Sequence, residues 1–141
     1  MKRAFLDTNI ILDLLGKRLS HYYYAAELFT LAEKKSIQLY VSSLTFSNLY
    51  YILRKIRNRE TAIISLKKLK LLIKILSVDN DIIERSLISN FNDFEDAIQY
   101  HTAKTNSIDY LITRNIKDFT NCQINILLPE EYLKIFSFKE K

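Results

Sequence analysis

The chain has 141 residues but only one cysteine, one proline, one glycine, one methionine, two histidines and no tryptophan. Each scarcity excludes something. The lone Cys122 cannot close an internal disulfide, and a four-cysteine zinc site is out of reach. His21 and His101 are too few for a histidine-rich metal site, and both His101 and Cys122 are read as structural. No apolar run approaches the roughly 20 residues of a membrane-spanning helix. The apolar stretch after Lys2-Arg3 is too short for a signal peptide, so a cytoplasmic protein with no membrane partner is expected. With so little Gly and Pro, chain reversals have to be marked by caps and by Asn, Asp and Ser clusters.

What is present is the balance of a globular domain. Apolar residues make up 48% and charged residues 26%, with no linker, repeat or low-complexity stretch, so a single domain over residues 1–141 is expected. The formal net charge of +5 permits a nucleic-acid partner without requiring one.

Periodicity predicts strands over 3–6, 38–41, 75–78, 109–113 and near 124–127. Helices are predicted over 9–15 with Gly16 as the C′ residue, over 21–35 with Ser20 as its cap, and over 44–57, 59–73, 80–89 and 94–105. Pro129 suits the first position of a last helix reaching Phe136. Strands alternating with helices predict an α/β fold of three layers, α/β/α, around a mostly parallel central sheet.

In such a sheet, ligands bind outside the carboxyl ends of the strands. Asp7 directly follows the first strand and so belongs at the mouth of that cleft. The competing reading makes it a cap for the next helix, but Thr8 and Asn9 are competent caps themselves. An aspartyl phosphatase would want a second Asp where Asn9 stands. A response-regulator phosphoacceptor would want paired acids here and a late lysine. Asp93 and Asp96, three apart, share the first turn of a later helix. The bland reading makes Asp93 a cap and leaves Glu95 and Asp96 to complement the helix dipole. Against it, Ala97, Ile98 and Ala103 form an apolar face that turns Asp96 toward the cleft. Thr113-Arg114-Asn115 repeats the strand-then-polar pattern. Carboxylates gathered from separate strand ends suit a hard divalent cation, and that cation suits phosphate chemistry.

A basic stretch runs through Arg54, Lys55, Arg57, Arg59, Lys67, Lys68, Lys70 and Lys74. It serves either to guide a phosphate backbone or as a solvated helix face. Tyr22-Tyr23-Tyr24 and Tyr50-Tyr51 can stack on bases, although packing in a core or a dimer contact is the favoured reading.

Taken in order, Phe5-Leu6-Asp7-Thr8-Asn9, Val41-Ser42-Ser43 through Asn48, Asp93-Phe94-Glu95-Asp96-Ala97 and Thr113-Arg114-Asn115 resemble the successive motifs of PIN domains. These are small α/β ribonucleases that include the toxins of VapBC-type toxin–antitoxin pairs. The resemblance covers nearly the whole chain. It implies that Asp7 and Asp96 are catalytic and bind Mg²⁺ or Mn²⁺, with Asp93 supplying a third negative charge and Asp93 or Asp96 orienting the attacking water. It implies RNA as substrate, an antitoxin protein as a possible partner, and a homodimer with Tyr50, Tyr51 and Leu53 on its surface. Asn9, Asn48, Thr113 and Asn115 are expected to support the site and Arg54 and Lys55 to contact RNA, while Arg114 either contacts the RNA backbone or is a solvated surface arginine.

The chain departs from the family at two places, with Asn48 and Asn115 where carboxylates are usual. An amide oxygen can ligate a cation or hold a water, but it brings no charge. The departure resembles a subfamily trait, which implies a metal-dependent endoribonuclease. The alternative is a non-catalytic module of the same fold that binds RNA or protein.

Overall fold

Five short runs rich in Ile, Leu, Val and aromatic residues form the sheet: β1 (Lys2–Leu6), β2 (Ile37–Ser42), β3 (Ile73–Leu76), β4 (Tyr110–Ile112) and β5 (Asn125–Leu127). The computed structural model describes residues 2–140 except 17, 19 and 121, with backbone alone for 137–140. The strand order is β3-β2-β1-β4-β5, and every neighbouring pair is parallel. Among the described residues, seven helices connect and flank the strands: α1 (Thr8–Leu15), α2 (Tyr22–Glu33), α3 (Ser43–Ile56), α4 (Arg59–Lys70), α5 (Asn80–Ile88), α6 (Phe94–Thr105) and α7 (Pro129–Glu140).

Alternate strand residues face opposite ways, and both faces are covered, which is why Ala4-Phe5-Leu6, Leu39-Tyr40-Val41 and Leu111-Ile112 are unbroken apolar runs. Ala4, Leu6, Leu39, Val41 and Ile112 belong to one core cluster, with Ile10 and Ile11 of α1, Leu28 and Phe29 of α2, and Tyr132 and Phe136 of α7. Phe5, Tyr40 and Leu111 belong to the other, with Tyr100 and Ala103 of α6 and Phe119. Each Leu, Ile, Val or Phe side chain among them, buried rather than exposed, stabilises the fold by about 1.5–3 kcal/mol. The three-layer α/β/α arrangement expected from the alternation is therefore present, and the sheet is parallel throughout.

Four local expectations are corrected. β3 starts at Ile73 rather than 75 and ends at Leu76, because α4 stops at Lys70 and the chain turns at Leu71-Leu72 into the strand. Ser20 does not cap α2, which begins at Tyr22 with His21 at the cap position and no side-chain bond there. Gly16 follows α1 with φ −87°, a right-handed conformation, so it is no left-handed C′ residue. What it provides is closeness, because a Cβ there would lie 2.9 Å from the Leu12 carbonyl oxygen. The last helix runs on past Phe136 to Glu140. Among the described residues, no helix is long and apolar enough to cross a membrane.

Candidate active site

The chain leaves β1 toward β2 and β3 on one side, while β4 leads to β5 on the other. That divergence opens a crevice at the carboxyl ends of β1 and β4, where open parallel sheets hold their ligands. Leu6 pairs with Ile112, so the next residues, Asp7 and Thr113, face each other across the strand ends. The Asp7 N–H donates to the Ile112 carbonyl at 3.0 Å, and the Thr113 N–H to that of Leu127 at 2.9 Å. Thr113 Oγ1 then donates to Asp7 Oδ2 at 2.9 Å and accepts from the Asn115 N–H at 3.0 Å. Asp7 occupies the cap position of α1, yet its side chain makes no capping bond. Thr8 and Asn9 cap nothing either, since they are the first helical residues.

Below the crevice lies a buried polar knot. Ser42 Oγ accepts from the Thr45 N–H at 3.2 Å and so starts α3. The hydroxyls of Thr45 and Thr8 meet at 2.9 Å. Gln99 Nε2 donates to Thr45 at 2.9 Å and to Thr8 at 3.2 Å. Gln99, Thr45 and Ser42 are fully buried. One amide thus ties together α1, α3 and α6, the helices that open beside Asp7, carry Asn48 and carry Asp96. In a low-dielectric interior the bonds through Gln99 Nε2 hold these helices together, while Gln99 Oε1 is buried without a partner among the described residues.

The crevice has a volume of about 440 Å³ and is lined by Asp7, Asn9, Asn48, Asp93, Glu95, Asp96, Asn115 and Asp118, among others. Its carboxylates repel one another. Burial pushes Asp7 above the ordinary carboxylate range, although the Thr113 hydrogen bond, the Thr8 backbone and the Arg114 charge pull it back. Asp96 is pushed up to about 7, first by burial and then by the charges of Asp7, Asp93, Asp118 and Glu95. Glu95 is also raised, mainly by burial, against the Asn48 hydrogen bond.

The structure brings together most of the residues expected from the sequence. Asp7, Asp93, Asp96, Asn9, Asn48 and Asn115 share the crevice, with Thr113 directly behind Asp7. Asp93 also caps α6, where its Oδ1 accepts from the Asp96 N–H at 3.0 Å. Arg114 is already engaged: its Nε lies 2.8 Å from Asp13 Oδ2, and the Asp13 side chain is 1% exposed. Arg54 and Lys55 are exposed on the last turn of α3 and do not line the crevice. Leu53 is buried and belongs to no open surface, whereas Tyr51 is 59% exposed at the crevice edge. Tyr22 and Tyr23 are exposed rather than packed in the core.

Two crevice acids were missed by the sequence reading. Glu95 Oε1 accepts from Asn48 Nδ2 at 3.0 Å, so the amide directs a carboxylate where it lacks its own charge. Asp118 closes a single 3₁₀ turn (Ile116–Asp118), and its N–H donates to the Asn115 carbonyl at 3.0 Å. The available signals were three acids within Asp93–Asp96 and the spacing of three from Asn115 to Asp118.

Among the described residues, no three His, Cys, Asp or Glu groups close into a ready-made cation cage. The donor chemistry nonetheless fits a hard divalent cation: the donors are oxygens, several carry charge, and the nearby guanidinium of Arg114 is paired elsewhere. A crevice of this kind can neutralise a phosphate by way of a cation, and cannot do so with its own side chains.

Known proteins share this fold and sequence pattern. The chain is 27% identical over 136 residues to Ribonuclease VapC1 of Aquifex aeolicus (strain VF5), covering 93% of each. Its fold matches a toxin–antitoxin complex from Klebsiella pneumoniae with a TM-score of 0.67 and 28% identity, covering 89% of this chain and 97% of that one. It also matches VapBC2 from Rickettsia felis, bound to a DNA fragment from its promoter, with a TM-score of 0.64 and 23% identity over 89% and 96% of the two chains. The PIN domain family model matches residues 3–117, and the chain belongs to the PIN domain family.

Proposed function

We propose that this chain is a metal-dependent ribonuclease that hydrolyses RNA phosphodiester bonds, and that it is the toxin of a type II toxin–antitoxin pair. The observation that carries this reading is the gathering of Asp7, Glu95, Asp96 and Asp118 around one crevice where β1 and β4 diverge. Burial and mutual repulsion raise the first three above the ordinary carboxylate range, so their negative charge is poorly offset.

Asp7 and Asp96 hold Mg²⁺ or Mn²⁺. Glu95, directed by Asn48, and Asp118, beside Asn115, restore the charge that the two amides lack. A cation held there would polarise the scissile phosphate and lower the pKa of an attacking water. The chain's own residues do the rest. Thr113 fixes the orientation of Asp7, and Asp93 sets the first turn that carries Asp96. Asn9 and Asn115 present amides to water or to the ribose edge. Arg54 and Lys55, both exposed, meet phosphates at a distance from the crevice. Likeness to Ribonuclease VapC1 and to the Klebsiella pneumoniae toxin–antitoxin complex supports both the substrate and an antitoxin partner. A second copy of this chain is the other expected partner, supported by exposed Tyr51 and Ile56 on α3.

The test is cleavage of single-stranded RNA by purified protein with Mn²⁺, compared with Asp7→Asn and Asp96→Asn. Cleavage that needs the metal and disappears in both variants is expected. The amides Asn48 and Asn115 favour a second reading, a non-catalytic RNA- or protein-binding module. Intact RNA that still binds the protein in the presence of Mn²⁺ would establish it.

A further inference from the structure

A second cavity, of about 360 Å³, adjoins the acidic crevice, and Asp118 lines both. Its size falls at the small end of ligand pockets, about 300–1,000 Å³. Its chemistry is the opposite of its neighbour's. Lys104 from the last turn of α6 and Lys117 from the 3₁₀ turn line it, both exposed, and neither forms an ion pair among the described residues. Phe91 forms an aromatic wall, half-buried against Tyr100 at 5.5 Å and Phe119 at 5.9 Å between ring centroids. His101 lies 6.4 Å from Phe91, and its Nε2 is shielded from solvent without a hydrogen-bond partner among the described residues.

We propose that this cavity seats one nucleotide of the RNA chain next to the scissile phosphate, with its phosphate on Lys104 and Lys117 and its base against Phe91, beside His101. The ligand class rests on the ribonuclease reading, but the placement rests on the cavity itself. A crevice lined by carboxylates repels a phosphate chain, so the chain needs cations on its way in and out. These two lysines line the cavity that adjoins the acidic crevice through Asp118 and do not line the crevice itself. An aromatic face holds any base without reading its sequence, which suits single-stranded RNA. A protein segment of neutral chemistry would leave the two lysines without an anion to meet.

The experiment measures binding of a fluorescent single-stranded RNA hexanucleotide to the full chain in EDTA, where cleavage is blocked. Lys104→Gln/Lys117→Gln is compared with Lys67→Gln/Lys68→Gln, which removes the same charge from the exposed face of α4. The first pair should weaken binding about tenfold at about 0.1 M salt and reduce the slope of log affinity against log salt by about 1.4. The second pair should change affinity less than about twofold. The His101 imidazole resonances should shift on adding the RNA while those of His21 stay fixed. Equal losses in the two double variants, no loss in the first, a silent His101, or no RNA binding at all would overturn the subsite. RNA cleavage with an unchanged KM in Lys104→Gln/Lys117→Gln would sink the subsite and leave the ribonuclease standing. The expected binding pattern without any Mn²⁺-dependent cleavage would do the reverse.

Discussion

Thr113 hands its hydroxyl hydrogen to Asp7 Oδ2 at 2.9 Å, joining two residues 106 positions apart at the ends of adjacent strands. Asp7 is 5% exposed and Thr113 fully buried, so water cannot replace the bond. Thr113→Val should cost about 1.5–3 kcal/mol of stability, as expected for a buried bond to a charged group. It should also weaken Mn²⁺ binding by about 10–100-fold through the loss of outer-shell orientation. Thr113→Ser should retain most of both. Thermal unfolding and calorimetric titration with Mn²⁺ check the two effects separately.

Arg114 closes an ion pair with Asp13, and Arg18 lies farther from the same carboxylate, at 3.6 Å. Removing one partner of a buried pair leaves an uncompensated charge. With Arg18 still in reach, Arg114→Ala should cost about 3 kcal/mol, the low end for such losses. Its effect on stability should exceed its effect on RNA affinity, because the guanidinium is committed inside the protein. Urea denaturation beside an RNA-binding titration measures both.

Asn48 directs Glu95 through a 3.0 Å hydrogen bond. Asn48→Asp replaces that donor with a second negative charge beside the first. The metal-free variant should be less stable by roughly 1 kcal/mol at neutral pH, since like charges at close range destabilise by that order. With Mn²⁺ the ranking should reverse, because the added carboxylate is a better partner for the cation than an amide. Melting temperatures with EDTA and with Mn²⁺ give the comparison.

Asp96 has a folded pKa of about 7 against an ordinary value of 3.8. A carboxyl raised on folding favours the folded state most when protonated, below the ordinary value. That contribution is lost as pH rises from about 4 through about 7. The metal-free protein should therefore lose stability across this window. Asp96→Asn should flatten that part of the profile, and the difference between the two curves removes contributions from other groups such as His101. Urea midpoints between pH 4 and 8, measured in EDTA, supply the curves.

Much of the site was legible in the sequence because strand ends carry it. The run Ala4-Phe5-Leu6 is apolar on both faces, so Asp7 stands out as the first polar residue after a buried strand. Asp96 was legible from the apolar residues that follow it on α6. Glu95 was not, because an acid in the first turn of a helix is adequately explained by the dipole, and only the tertiary contact with Asn48 reveals its direction. Asp118 sits in a single 3₁₀ turn, too short for any periodicity to mark. Arg114 reads as an open cation in sequence, and its partner Asp13 lies a hundred residues away on α1. The boundary of β3 was missed because Leu69, Leu72 and Ile73 fit a helical stripe as well as a strand entrance.

Calorimetric titration of the metal-free protein with Mn²⁺, in the wild type and in Asp7→Asn and Asp96→Asn, bears most directly on the shared cation. Saturable binding in the wild type, weakened by more than about tenfold in each variant with the fold intact by circular dichroism, is the expected result. A wild type that takes up no Mn²⁺, or variants that bind it as tightly, would contradict the account.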